Sequence, residues 1–235
     1  MNYNDFIVLD FETGSRNPFK TQPIEVAMVA VDSRRLEIIE GSVFVSLMKP
    51  FEDDKALELG LDPIQDEALE INHKTRESLK NAPEPKLVWS KVKEYVDRYK
   101  KKKKMWDAPI LCGYNSDQFD MHIVHRLCCL DPYKYGPVDK DGIKNKLFHP
   151  IHTIDVMKYL WAWTENNVDI KSLSLDNIRD WLGIDKKGAH NAEKDVIDTA
   201  QILIKFMKLH RNYASKVKFA NSFGGKKDES PVLSV

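Results

Sequence analysis

Asp10 and Glu12 form a D-x-E pair at the end of the apolar run Phe6-Ile7-Val8-Leu9, with Thr13 and Gly14 directly behind. A short apolar run closed by a turn residue reads as a buried strand. Side chains on a strand repeat with period 2, so both carboxylates leave on one side. Two carboxylates that close repel each other, and neither gains by leaving water. A shared divalent cation removes both objections, and hard carboxylate oxygens suit Mg²⁺ or Mn²⁺. Taken alone, the stretch reads equally well as a strand ending in solvated loop acids. Three further residues can join the chemistry. Asp120 falls beside the apolar stripe Phe119, Ile123, Leu127 of a helix, one turn inside it. Asp195 falls beside the stripe Val196, Thr199, Ala200, Leu203 of the last long helix. His190 stands at or just before that helix start, where the helix dipole disfavours imidazolium and keeps the ring able to accept a proton.

The elements that must position these residues follow in order. Ile24–Val31 and Leu36–Leu47 read as second and third strands, joined as an antiparallel hairpin through Asp32-Ser33-Arg34-Arg35. Short helical patterns surround Ala68–Ile71 and Thr75–Leu79. A firmer amphipathic helix spans Leu87–Tyr99, with Leu87, Val88, Val92, Tyr95, Val96 and Tyr99 near one face. Pro109–Gly113 is a fourth strand; Asn115, Ser116 and Asp117 are good helix-start residues for the helix that runs to about Leu130. Asp131–Pro150 reads as a long loop facing substrate. His152–Val156 is a fifth strand leading into an aromatic segment with Tyr159, Trp161 and Trp163, a composition that usually means core. Ser172–Leu182 is a helix stopped at Gly183. Periodicity fades beyond Arg211, so residues 1–211 are expected to form the domain and 212–235 a flexible tail.

The bulk numbers narrow the class. With 42% hydrophobic and 31% charged residues over 235, a sizeable core is expected and wholesale disorder is not. The formal net charge of +0 gives no global pull toward nucleic acid, although local fields survive a neutral total. The run Lys100–Lys104 reads better as a solvated helix end than as a phosphate contact. The three cysteines (Cys112, Cys128, Cys129) form no CxxC pair, which disfavours disulfides and a cysteine zinc site. His122-x-x-His125 and His149-x-x-His152 lack the spacing and third ligand of a zinc site. No stretch reads as a signal peptide or bilayer span, so a reducing, cytoplasmic compartment and no membrane partner are expected.

Taken together, LDFETG, GYNSDQFD and AHNAEKD stand in order, each on its expected element, with Ala68–Asn72 and Ser174–Gly183 between them. This set resembles the DEDDh branch of 3′–5′ exonucleases, in the superfamily of the DNA polymerase III epsilon-type proofreading subunit, ribonuclease T and oligoribonuclease. The resemblance spans about Phe6 to Phe206. It implies an α/β, ribonuclease-H-like fold: a mixed five-stranded sheet, its second strand antiparallel, flanked by helices. It implies that Asp10, Glu12, Asp120 and Asp195 hold two Mg²⁺ or Mn²⁺ ions and that His190 is the general base. Phe11 and Thr13, His73 and Asn115 would bind substrate, the Thr13 backbone touching the terminal sugar and His73 lining the terminal-nucleotide pocket. Phosphodiester hydrolysis asks for such a set, because the ester is anionic and repels hydroxide; metal pairs about 3.5–4 Å apart serve this chemistry elsewhere. The expected activity is removal of 5′-mononucleotides from the 3′ end of single-stranded nucleic acid, DNA first and RNA as the alternative. A binding module that keeps the fold without catalysis is a weaker alternative, since all five site residues are present. The tail carries no recognisable clamp- or polymerase-binding motif, and a homodimer stays open.

Overall fold

The computed structural model describes residues 4–102, 104–128, 147–188 and 191–216. Ala189, His190 and most of the Asp131–Pro150 loop therefore lie outside the described residues, as does the segment 217–235. The described residues form six strands: β1 (Phe6–Thr13), β2 (Pro23–Asp32), β3 (Glu37–Ile38), β4 (Phe44–Leu47), β5 (Ile110–Gly113) and β6 (Thr153–Asp155). Eight helices accompany them: α1 (Asp53–Glu58), α2 (Asp66–Ile71), α3 (Arg76–Lys80), α4 (Pro85–Arg98), α5 (Asp120–Cys128), α6 (Val156–Thr164), α7 (Leu175–Leu182) and α8 (Ala192–Lys216). No described helix is long and apolar enough to cross a membrane.

The sheet order is β3-β2-β1-β5-β6, with β4 also on β2. β2 runs antiparallel to β1, β3 and β4, while β5 and β6 run parallel to β1. β1 is thus central, with helices over both faces, which explains its unbroken apolar start. Ile7, Leu9 and Phe11 point into one core with Val88, Trp89, Val92, Ile123, Leu127 and Phe148 of the α4 and α5 side. Phe6 and Val8 point into the other, with Val156, Ile178, Val196, Ala200 and Leu203 of α6, α7 and α8.

The third strand of the sequence reading is two strands. β3 pairs with the end of β2 (Val31↔Ile38) and β4 with its start (Glu25↔Leu47). Between them Gly41 takes φ +68°, and the Ser42 hydroxyl stands in for the backbone, accepting from Ala30 N at 3.2 Å and donating to Ala30 O at 3.3 Å. A serine can satisfy a strand edge this way and end regular pairing.

Three helix readings also shift. In α4 Leu87 is 52% exposed and Trp89 1%, because the 3.6-residue period through Val88, Val92 and Val96 takes in position 89 and leaves out 87. Asp120 is the first residue of α5 and not one turn inside it, since the segment from Ser116 turns before the helix begins. In α6 the spacing selects Val156, Leu160 and Thr164 for burial and leaves Trp161 60% exposed, so of the three aromatics only Tyr159 packs against the core. At the far end of the long loop, Leu147 and Phe148 are core residues.

Candidate active site

The acids meet where the parallel strands end. After Phe6 and Val8, the same face of β1 carries Asp10 and Glu12, so the strand's own alternation replaces core by carboxylate. α8 packs on that face and brings Asp195 in its first turn. One carboxylate oxygen each from Asp10, Glu12 and Asp195 lie within 4.8 Å of one another. Asp120 arrives from the other layer. The β1–β5 pairing ends at Val8↔Cys112, and farther along β1 the Phe11 N–H donates to Asp120 Oδ1 at 3.1 Å. Phe11 thus contributes a backbone donor at the site, while its side chain belongs to the α4–α5 core.

Two glycines allow the close approaches around this corner. A Cβ on Gly113 would stand 2.6 Å from the Ser116 Cβ and 3.0 Å from the Leu9 carbonyl oxygen. One on Gly14 would stand 2.1 Å from Ile64 Cδ1. Gly14 in turn holds the segment leading to α2, its carbonyl accepting from Gln65 N at 2.9 Å.

Burial and crowding hold the site acids toward their neutral forms. Burial first, then the charges of Asp195 and Glu25, push Asp10 up to about 7, against a counter-pull from Arg179. Burial, then Asp10, Asp195 and Glu25, push Glu12 up to about 8, with Lys74 opposing. Asp120, 3% exposed, is raised well above the usual carboxylate range by burial and by Asp10, only partly offset by the Phe11 N–H. Two like charges about 5 Å apart repel by roughly 3 kcal/mol at an effective dielectric near 20. Three such pairs are large against a net stability of about 5–15 kcal/mol. The all-oxygen donor set, the short mutual distances and this unbalanced negative charge fit a hard divalent cation.

Several neighbours were not picked out from the sequence. Glu25 lies opposite Glu12 in the β1–β2 register and pairs with Lys74 at 3.0 Å. Arg179, on α7, donates to Asp195 at 2.6 Å. Its sequence signal was faint but present: it stands four residues after Leu175, among the apolar positions of that helix.

The predicted substrate residues separate. Thr13, one residue past Glu12, lines an open cleft of about 650 Å³ together with Ser15, Arg16, Ala68, Ile71, Asn72 and Phe119. The Thr13 carbonyl accepts from Asn72 Nδ2 at 3.0 Å. His73 is exposed, takes φ +53° and is not among the cleft-lining residues; its neighbour Asn72 is. Asn115 takes φ +55° and its N–H donates to Asp155 Oδ1, which ties the turn after β5 to the start of α6. The histidine pairs are occupied by local contacts: His149 Nδ1 accepts from the Ile151 and His152 N–H groups, and His122 lies 4.4 Å from the Phe19 ring. Lys100 and Lys101 meet Asp97 and Asp5.

The fold is similar to those of known nucleases. E. coli exonuclease I in complex with a dT13 oligonucleotide superposes with TM-score 0.66 at 18% identity, over 91% of this chain and 43% of that one. A zinc-bound E. coli exonuclease I–single-stranded DNA complex gives 0.66 at 19%, over 92% and 42%. Cell-death related nuclease 4 gives 0.60 at 15%, over 88% and 64%. The chain thus spans less than half the length of exonuclease I, and at these identities the likeness is one of fold. A comparison with curated protein sequences finds no match. The model of the exonuclease family RNase_T matches residues 7–203, and the chain belongs to that family, with its ribonuclease-H-like fold.

Proposed function

We propose that this protein is a divalent-metal-dependent 3′–5′ exonuclease that removes 5′-mononucleotides from single-stranded nucleic acid, with DNA as its first substrate. The observation that carries the reading is the convergence of Asp10, Glu12 and Asp195 within 4.8 Å, next in sequence to the cleft-lining Thr13, with the Asp120 carboxylate held by the Phe11 N–H. These four carboxylates would hold Mg²⁺ or Mn²⁺, two ions together, and bound metal supplies a more acidic water and stabilises the charge that develops on the leaving oxygen. His190, two residues before α8, takes the proton from the attacking water. Thr13 and Asn72 line the cleft, Phe119 offers a ring to a base, and Arg16 offers a charge to a phosphate. The DNA preference draws its support from exonuclease I, which is described in complex with dT13 and dA16.

The test uses DNA and RNA oligonucleotides labelled at either end, with Mg²⁺, Mn²⁺ or EDTA. A ladder from the 5′-labelled strand and released labelled mononucleotide from the 3′-labelled strand are expected, both lost in EDTA. Faster shortening of RNA would reassign the substrate. A gel shift without cleavage under either metal would refute catalysis.

A further inference from the structure

Arg179 is 1% exposed, and each guanidinium nitrogen meets a different carboxylate. Nε donates to Asp198 Oδ2 at 2.8 Å, Nη1 to Asp176 Oδ1 at 3.0 Å and Nη2 to Asp195 Oδ1 at 2.6 Å. Only Asp195 belongs to the acid cluster at the end of β1. Asp198 is 2% exposed, lies three residues on along α8 and is shared with Lys194. Asp176 precedes Arg179 by three residues on α7.

The two outer acids hold the planar fork, and the fork holds the third. A buried guanidinium needs partners, yet Asp198 and Asp176 already balance its charge. The contact with Asp195 therefore does something besides neutralisation. An aspartate in the first turn of a helix samples several rotamers, and a charge-assisted bond from a fixed donor removes that freedom. The same cation lessens the attraction of the cluster for a metal, so position and charge act in opposite directions here.

We propose that Arg179 is a positioning residue that aims the Asp195 carboxylate at Asp10 and Glu12 for divalent-metal binding; this rests on the metal-site reading above. A lysine keeps the charge but cannot reach three carboxylates with one ammonium, so Arg179→Lys separates the two effects. Partners of metal ligands typically govern affinity by about 10–100-fold.

The measurement is Mn²⁺ binding by titration calorimetry, beside cleavage of a DNA oligonucleotide at rising Mn²⁺. Arg179→Lys should bind Mn²⁺ about 10–100-fold more weakly, with an unchanged circular-dichroism spectrum, and should regain most of its kcat at saturating Mn²⁺. Asp180→Asn, on the same helix at the exposed ion pair with Lys186, should bind as wild type does. If Arg179→Lys does not fold, the isosteric Asp198→Asn, which removes one anchor of the fork, takes the same test with about tenfold weakening expected. A folded variant that binds Mn²⁺ as tightly as a binding, cleaving wild type overturns the positioning role alone. A wild type that binds no Mn²⁺ overturns the metal-site reading and the proposal together.

Discussion

Along β1, Ile7, Leu9 and Phe11 point to one face of the sheet, while Phe6, Val8, Asp10 and Glu12 point to the other. The first face stays apolar through Phe11 and packs on α4 and α5. The second changes from core to carboxylate at residue 10, and α8 covers it with another acid. Neighbouring residues on one strand therefore obey opposite rules. On the dry face, side-chain volume sets stability. On the acidic face, stability is given up to repulsion, and a cation bound at the proposed metal site would recover it.

The largest effect that would test this contrast comes from Asp10→Ala. Cleavage should fall below detection, because a ligand of the proposed metal site is gone. Melting of the metal-free variant, followed by circular dichroism, should occur no lower than that of wild type, since one repelling charge is removed. Normal cleavage by Asp10→Ala would end the metal assignment. His190→Ala should act on rate by roughly 10²–10⁴-fold, the usual size of a general-base contribution. Its Mn²⁺ affinity, measured by calorimetry, should stay close to wild type. A loss confined to metal binding would make His190 something other than a base.

Leu9→Ala gives the mirror image. Leu9 is 1% exposed in the dry core, and its truncation should cost about 2–5 kcal/mol in urea unfolding. At temperatures where the variant is folded, its Mn²⁺ affinity should be near that of wild type. A Leu9→Ala protein as stable as wild type would show that the face is not packed as described.

The contrast was partly written in the sequence. Asp10 and Glu12 share a strand, so period 2 alone puts them on one side. Ile7 and Leu9 announce the opposite core for the same reason. The antiparallel pairing of β2 with β3 followed from the apolar run and the turn at Asp32, whose carboxylate accepts from Arg34 N and Arg35 N. What lay hidden depends on contacts between distant elements. Nothing near Arg179 in the sequence tells that Asp195 and Asp198 come to it, because that requires α7 to lie against α8. Asn72 and His73 are adjacent, and only the turn after α2, with His73 at φ +53°, decides which one meets Thr13. Ser42 looked like one more residue of an alternating strand until its hydroxyl took the place of a backbone partner.

The smallest effect concerns pH, and its sign separates the two faces again. Burial and then neighbouring carboxylates push Asp10 from an ordinary 3.8 up to about 7 and Glu12 from 4.5 up to about 8 in the folded protein. A carboxyl whose folded pKa is raised binds its proton more tightly when folded. Its contribution favours folding at low pH and is lost as pH rises through the folded pKa. His122, His125 and His149 are held below their ordinary value by burial, so they favour folding as pH rises, but that gain is complete near pH 7. Between pH 7 and 8.5 the acids carry most of the change, with the raised Cys112 thiol adding slightly in the same direction, and the metal-free protein should lose roughly 1–2 kcal/mol in urea unfolding. Glu12→Gln should remove most of that slope, and Mg²⁺ at pH 8.5 should restore the stability of wild type. Leu9→Ala should lower stability by the same amount at both pH values. A metal-free wild type that gains stability from pH 7 to 8.5 would mean that the acidic face is not held against its own charge.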